Sequence, residues 1–284
     1  VPVTVFTGFL GAGKTTLILS LLPQLPKDYR VVLLKNEFGD VEVDSQLARQ
    51  SSLAAVSEIL NGCMCCVLVG QMKTALLEIL ENHSPDRIII ECSGSAFPAT
   101  LALQIRELER ETSRALALDA IATVVDAENF AGYEDTSATA RLQAQYTDVL
   151  ILNKWEGVSE RALDDVLERL NALNDLTPKV RAAGRALDPA LVFGLDSRMF
   201  ELGGAEEAEA EAGARHDEVE TATVWRGGVR PGHTHADGEG HGRADGDGDV
   251  AGPNADTLDE DTVRDALAGL PKEGVYRVKG FVRV

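Results

Sequence analysis

Cysteine is scarce in this sequence: four residues in 284, too few for the disulfide framework of a secreted domain. Three of the four crowd into one stretch, NGCMCC, as Cys63, Cys65 and Cys66. Ordinary disulfide geometry strains badly across so short a loop. No run approaches the ~20 apolar residues of a membrane helix. The opening VPVTVFTGFLGAGKTT has no basic n-region of the kind a signal peptide carries. A reducing, cytoplasmic setting is therefore expected, and the clustered thiols read as metal or redox groups rather than as packed small hydrophobes. Basic residues are also short, 27 Lys and Arg against 46 Asp and Glu, for a net charge of −19. That balance argues against nucleic acid or an anionic membrane as a partner.

What is present suffices for one large domain and part of another. Apolar residues make up 44 % of the chain, ample for a core, although aromatics reach only 5 %. The negative charge is uneven: residues 201–261 hold 17 Asp and Glu against 4 Arg, −13 of the −19, together with four of the five histidines. Within that stretch RPGHTHADGEGHGRADGDGDVAGPN has no apolar periodicity and reads as a flexible insert over about residues 227–256.

Upstream, apolar strands alternate with helical segments. VTVF, RVVLLKN, RIIIEC, AIATVVDA and DVLILNK are near-continuously apolar, the pattern of strands buried on both faces. KTTLILSLL, VGQMKTALLEILEN and SERALDDVLERLNALN carry helical spacing. Such alternation predicts an α/β fold, a mainly parallel sheet covered by helices on both faces. The expected organisation is a nucleotide domain over residues 1–200, an acidic linker over 201–215, and a partial α+β domain over 216–284. The last unit would comprise the strand HDEVETATVW, the helix LDEDTVRDALAGL and the strand GVYRVKGFVRV. A start without Met and an end in or just after a strand are what a fragment would show.

GFLGAGKT, Gly8 to Thr15, matches G-x-x-x-x-G-K-[ST] and stands between a strand and a helix, the context this phosphate loop requires. Glycines there let backbone N–H groups curl around a phosphate, and the helix N-terminus adds its dipole. Lys14 is expected to reach the β- and γ-phosphates, and the Thr15 hydroxyl to ligate Mg²⁺. Nucleotide contacts are expected from Gly8, Phe9, Leu10, Gly11, Ala12, Gly13, Lys14, Thr15 and Thr16. LNKWE, Leu152 to Glu156, follows the last long apolar strand, at the nucleotide side of such a sheet. It is similar to the N-K-x-D guanine reader of GTPases, with Glu156 in the place of the acid. GTP is the expected nucleotide, contacted by Asn153, Lys154 and Glu156.

Taken in order, GFLGAGKTT, LKNEFGDVEVD, LNGCMCC, IIIECSGSAFP, TVVDAENF and LNKWE resemble the CobW family of metal-associated P-loop GTPases, related to HypB and UreG. The resemblance covers nearly the whole chain, and its most specific element is the C-x-C-C that follows the P-loop. It implies slow GTP hydrolysis with Mg²⁺, binding of Zn²⁺ or a similar metal, and delivery of that metal to a client protein. In the eukaryotic zinc-transferase branch the known client type is a zinc-dependent methionine aminopeptidase. The Cys-Pro motif that docks it stands upstream of the P-loop and is not in this sequence, so the client is left open. A nucleotide- or metal-dependent homodimer is also left open.

The chemistry of the thiols agrees with this. Thiolates suit Zn²⁺ or Cu(I) better than Mg²⁺. Cys63, Cys65 and Cys66 would leave one tetrahedral position for water or a client's ligand. Lys14, Glu37 and Glu91 are the expected catalytic residues, the two acids binding Mg²⁺ or positioning water, with Asp44 a weaker candidate. Gly94 is placed to offer its backbone N–H to the γ-phosphate.

The histidine loop carries two readings. His233, His235 and His241, among Asp237, Asp245, Asp247 and Asp249, can collect Zn²⁺ or Ni²⁺ weakly, or the loop is a solvating insert. The glycine and terminal glutamate of an EF-hand are missing. Two other function classes stand beside the metallochaperone. One is a P-loop kinase or ATPase with a structural zinc site, which predicts ATP preference. The other is a non-enzymatic metal store or sensor, which predicts metal binding indifferent to nucleotide.

Overall fold

The computed structural model describes residues 1–35, 54–58, 68–135, 137–184, 186–200, 264–265 and 267–269. Seven strands form one sheet: β1 (Pro2–Thr7), β2 (Val31–Lys35), β3 (Ala54–Glu58), β4 (Arg87–Glu91), β5 (Ala117–Asp126), β6 (Val149–Asn153) and β7 (Lys179–Arg181). Their order is β3-β2-β4-β1-β5-β6-β7, and every pairing is parallel. Around it lie α1 (Lys14–Leu21), α2 (Leu68–His83), α3 (Pro98–Glu111), α4 (Phe130–Glu134), α5 (Ala138–Gln145) and α6 (Glu160–Leu173).

The apolar strands are continuous because alternate residues serve opposite faces. Val3, Val5, Val32, Leu34, Ile88 and Ile90 pack on one side against Met72, Leu76 and Ile79 of α2 and Leu101, Ile105 and Leu108 of α3. Phe6, Val31, Leu33, Ile89 and Val124 pack on the other against Leu17, Ile18 and Leu21 of α1. Burying each such side chain contributes about 1.5–3 kcal/mol, which fixes α1 and hence the loop that feeds it. β1 sits where the chain changes sides, between β4 and β5. An open α/β sheet binds ligands beyond the strand ends at that switch point.

All five expected strands of the nucleotide domain are present. β3 and β7 lack the apolar runs that mark the others: β3 reads AAVSE, and β7 is three residues long and half-exposed at the sheet edge. At the opposite end of the sheet from the switch-point site, Asp119 pairs with Arg87 and accepts the N–H groups of Gly194 and Asp196. This ties the segment after β7 back beneath the sheet. By its contacts the chain divides into Val1–Val219 and Glu220–Val284. In the second unit, helical backbone at 264–265 and 267–268 falls within the expected helix. The strands expected at 216–225 and 274–284 lie outside the described residues. No helix among the described residues is long and apolar enough to cross a membrane.

Candidate functional site

The loop from β1 to α1 is shaped by glycines at three points. Gly8, Gly11 and Gly13 have φ of +138°, +77° and +96°, a region side chains disfavour. Gly8 is required for space as well, since a Cβ there would lie 2.2 Å from the carbonyl oxygen of Val124 in β5. α1 starts at Gly13 with no side-chain cap, so its first N–H groups remain for an anion. The Lys14 ammonium is buried and donates to the carbonyls of Gly8 at 2.8 Å and Phe9 at 3.3 Å, curled over the loop. Phe9 and Ala12 are buried, Leu10, Gly13 and Thr15 half-buried, and Gly11 and Thr16 exposed.

An acidic residue stands at the end of β4. Glu91, at the end of β4 and 1 % exposed, accepts the Thr15 hydroxyl on Oε1 at 2.5 Å. Its Oε2 has no hydrogen-bond partner, and the Lys35 ammonium stands 3.5 Å away. A buried carboxylate beside a threonine hydroxyl is a hard oxygen set that fits Mg²⁺. Past β4, Gly94 lies in a turn closed by Ala96 N–H to Ser93 O. A Cβ on Gly94 would meet the Leu10 side chain at 2.6 Å and its backbone nitrogen at 2.8 Å, so only glycine lets the turn lie this close to the loop. Cys92, between them, is a core residue whose burial pushes its thiol up to about 12 against the pull of Lys14. It stays protonated and offers no thiolate.

On the other side, Asn153 ends β6 and turns back to the loop. Its Nδ2 donates to Ala12 O at 2.8 Å, so close that a Cβ on Gly13 would lie 2.4 Å from that nitrogen. Lys154 has φ of +57°, and its ammonium pairs with Asp126, the last residue of β5, at 2.6 Å. Glu156 is exposed, and its Oε1 accepts the Gly184 N–H at 3.1 Å. The Trp155 indole donates to Ala182 O at 2.6 Å. The structure thus brings Lys14, Thr15, Glu91 and Gly94 to one side of the loop and Asn153 to Glu156 to the other.

Sequence reasoning missed Asp126, Lys35 and Gly184. Asp126 was within reach, because it ends an apolar strand as Glu91 and Asn153 do. Gly184 follows a strand too short to show a pattern. Glu37, Asp44, Cys63, Cys65, Cys66, His233, His235 and His241 lie outside the described residues, as do Asp237, Asp245, Asp247 and Asp249. Among the described residues no group of three or more metal-ligating side chains forms.

The family model described as "CobW/HypB/UreG, nucleotide-binding domain" matches residues 2–181. The chain belongs to this family. The zinc chaperone YjiA of Escherichia coli (strain K12) is 32 % identical over 206 residues, covering 71 % of this chain and 63 % of that protein. A zinc chaperone CobW from a Sinorhizobium species is 31 % identical over 255 residues, covering 78 % and 71 %. The zinc-regulated GTPase metalloprotein activator 1 of Schizosaccharomyces pombe is 35 % identical over 205 residues, covering 69 % and 49 %. The chain therefore spans between 49 % and 71 % of the length of these relatives. A crystal structure of zinc-bound YjiA GTPase from E. coli superposes with a TM-score of 0.54 at 26 % identity, over 71 % of this chain and 63 % of that one. As a CobW/HypB/UreG chain, its P-loop is the β1–α1 loop just described.

Proposed function

We propose that this chain binds and hydrolyses GTP, and that the nucleotide state governs zinc held by Cys63, Cys65 and Cys66 for transfer to a client metalloprotein. The observation that carries the nucleotide half is the bond from Asn153 to Ala12 O, which holds Asn153, the residue we propose reads the base, close to the phosphate loop. Lys14 neutralises the β- and γ-phosphates. Thr15 and Glu91 would hold Mg²⁺, which would supply positive charge against the phosphates. Gly94 offers its N–H to the γ-phosphate. Glu91 and Glu37 are the candidate water-positioning acids. The three parts are a nucleotide domain over 1–200, an acidic linker over 201–215 and a C-terminal domain over 216–284.

The zinc half is supported by the relatives, which are named as zinc chaperones. Three thiolates with an open fourth position allow a client's ligand to begin an exchange.

The test of the nucleotide half is a competition titration. GTP is expected to bind better than ATP. Glu156→Ala is expected to erase the preference, because hydrogen bonds to a charged acceptor contribute about 1.5–3 kcal/mol, roughly 10- to 100-fold in selectivity. One carboxylate oxygen is already held by Gly184, which leaves Oε2 for the guanine edge. Equal affinity of the native chain for GTP and ATP would overturn the assignment.

A further inference from the structure

Among the described residues four buried side-chain polar atoms have no hydrogen-bond partner: Thr7 Oγ1, Glu91 Oε2, Asn153 Oδ1 and Gln143 Oε1. Three of them end strands β1, β4 and β6 at the nucleotide site. The fourth is on α5, in no motif, and is 1 % exposed. Its amide nitrogen donates to two carbonyls of one turn, Gly94 O at 3.1 Å and Ala96 O at 2.9 Å.

We propose that Gln143 is the positioning residue that sets the 93–96 turn for recognition of the γ-phosphate. This rests on the GTP reading above and on the role given there to Gly94. The turn is fixed at both ends by other groups. Before it, Cys92 N–H donates to Phe6 O at 2.9 Å. After it, the Phe97 ring stands edge-on to Tyr146, with centroids 5.3 Å apart. Within it the backbone bond from Ala96 N–H to Ser93 O closes the turn, and Gln143 is the side chain from outside the turn that pins two of its carbonyls. No acceptor among the described residues takes the Gly94 N–H, and the turn packs against Leu10 of the phosphate loop.

Gln143 has a firm base. The Thr123 hydroxyl of β5 donates to its backbone carbonyl at 2.7 Å, and Ser137 caps the helix that carries it. Leaving a buried acceptor unpaired is unfavourable. The amide nonetheless turns its donor to the turn and leaves Oε1 empty, so the turn's carbonyls decide its orientation. An amide holds a donor and an acceptor side by side. A turn that rotated a peptide to present an N–H would be held by Oε1, so one side chain can support two arrangements of the turn.

The experiment compares GDP with a non-hydrolysable GTP analogue on the native chain and on Gln143→Met, which keeps the length of the side chain and removes the amide. Affinity for the analogue is expected to fall about tenfold while that for GDP stays within about twofold. Equal loss for both nucleotides, or no loss for either, would overturn the positioning role. A native chain that binds neither nucleotide would overturn the GTP reading itself. Should the variant fail to fold, amide hydrogen exchange on the native chain decides. Residues 93–97 are expected to exchange more slowly with the analogue than with GDP, and identical exchange in the two states would overturn the role.

Discussion

Lys14→Ala is expected to remove nearly all affinity for GTP while leaving a folded chain. Lys14 is 6 % exposed and its ammonium is held by two loop carbonyls, so it enters the site already largely desolvated. Truncating one partner of a buried charge pair costs about 2–5 kcal/mol, roughly 30- to 4,000-fold in affinity. The fold does not share this loss. The loop's path is set by the three positive-φ glycines and by Gly8 against β5, and α1 is anchored by Leu17, Ile18 and Leu21. Removing a buried charge also removes its desolvation cost. A fluorescent GTP analogue measures the first effect and a thermal melt the second. Unchanged GTP binding in the folded variant would contradict the assignment of the P-loop.

Glu91 and Asn153 were legible because each ends an apolar run. Val3–Thr7, Ile88–Glu91 and Val149–Asn153 are buried from end to end, and the polar residue that breaks each run faces the switch point. Asp126 obeys the same rule on β5; it stands in TVVDAENF, but that motif drew no residue role from it. Gln143 obeys no such rule. It lies mid-helix among ordinary helix formers, and its meaning comes from a turn 47 to 49 residues upstream. Local pattern carries no trace of a contact at that separation. β7 and the Gly184 N–H were hidden for a related reason: an edge strand of three residues needs no apolar alternation, so its loop is placed by pairing with β6. The substitution of Glu for Asp at 156 was visible at once, but its reach to Gly184 required coordinates.

The largest effect expected on metal binding comes from Cys63, Cys65 and Cys66 taken together. Native chain is expected to bind about one Zn²⁺ through thiolates and to release protons as they form, since the ligands must deprotonate. Zinc affinity should therefore weaken as pH falls below the ordinary thiol range near ~8.5. Changing all three to Ser is expected to abolish the tight site and leave nucleotide binding largely intact. Cys92 remains in that variant without confusing the result, because its buried thiol, pushed up to about 12, supplies no thiolate. The segment at 59–67 follows β3 and precedes α2, whose Met72, Leu76 and Ile79 share one core with Ile88 and Ile90 of β4, the strand that leads to Glu91 and the 93–96 turn. If nucleotide state is felt along this path, zinc affinity must differ between the GTP and GDP states. Linkage then requires zinc to alter the preference for GTP over GDP by the same factor, typically ~1–3 kcal/mol. The His233, His235 and His241 loop is expected to bind metal weakly, if at all, and without regard to nucleotide. The measurement is a pair of zinc titrations, one with a non-hydrolysable GTP analogue and one with GDP, repeated on the Ser variant. Identical zinc affinity in the two states would make this protein a zinc-stabilised GTPase and remove the case for a nucleotide-driven carrier.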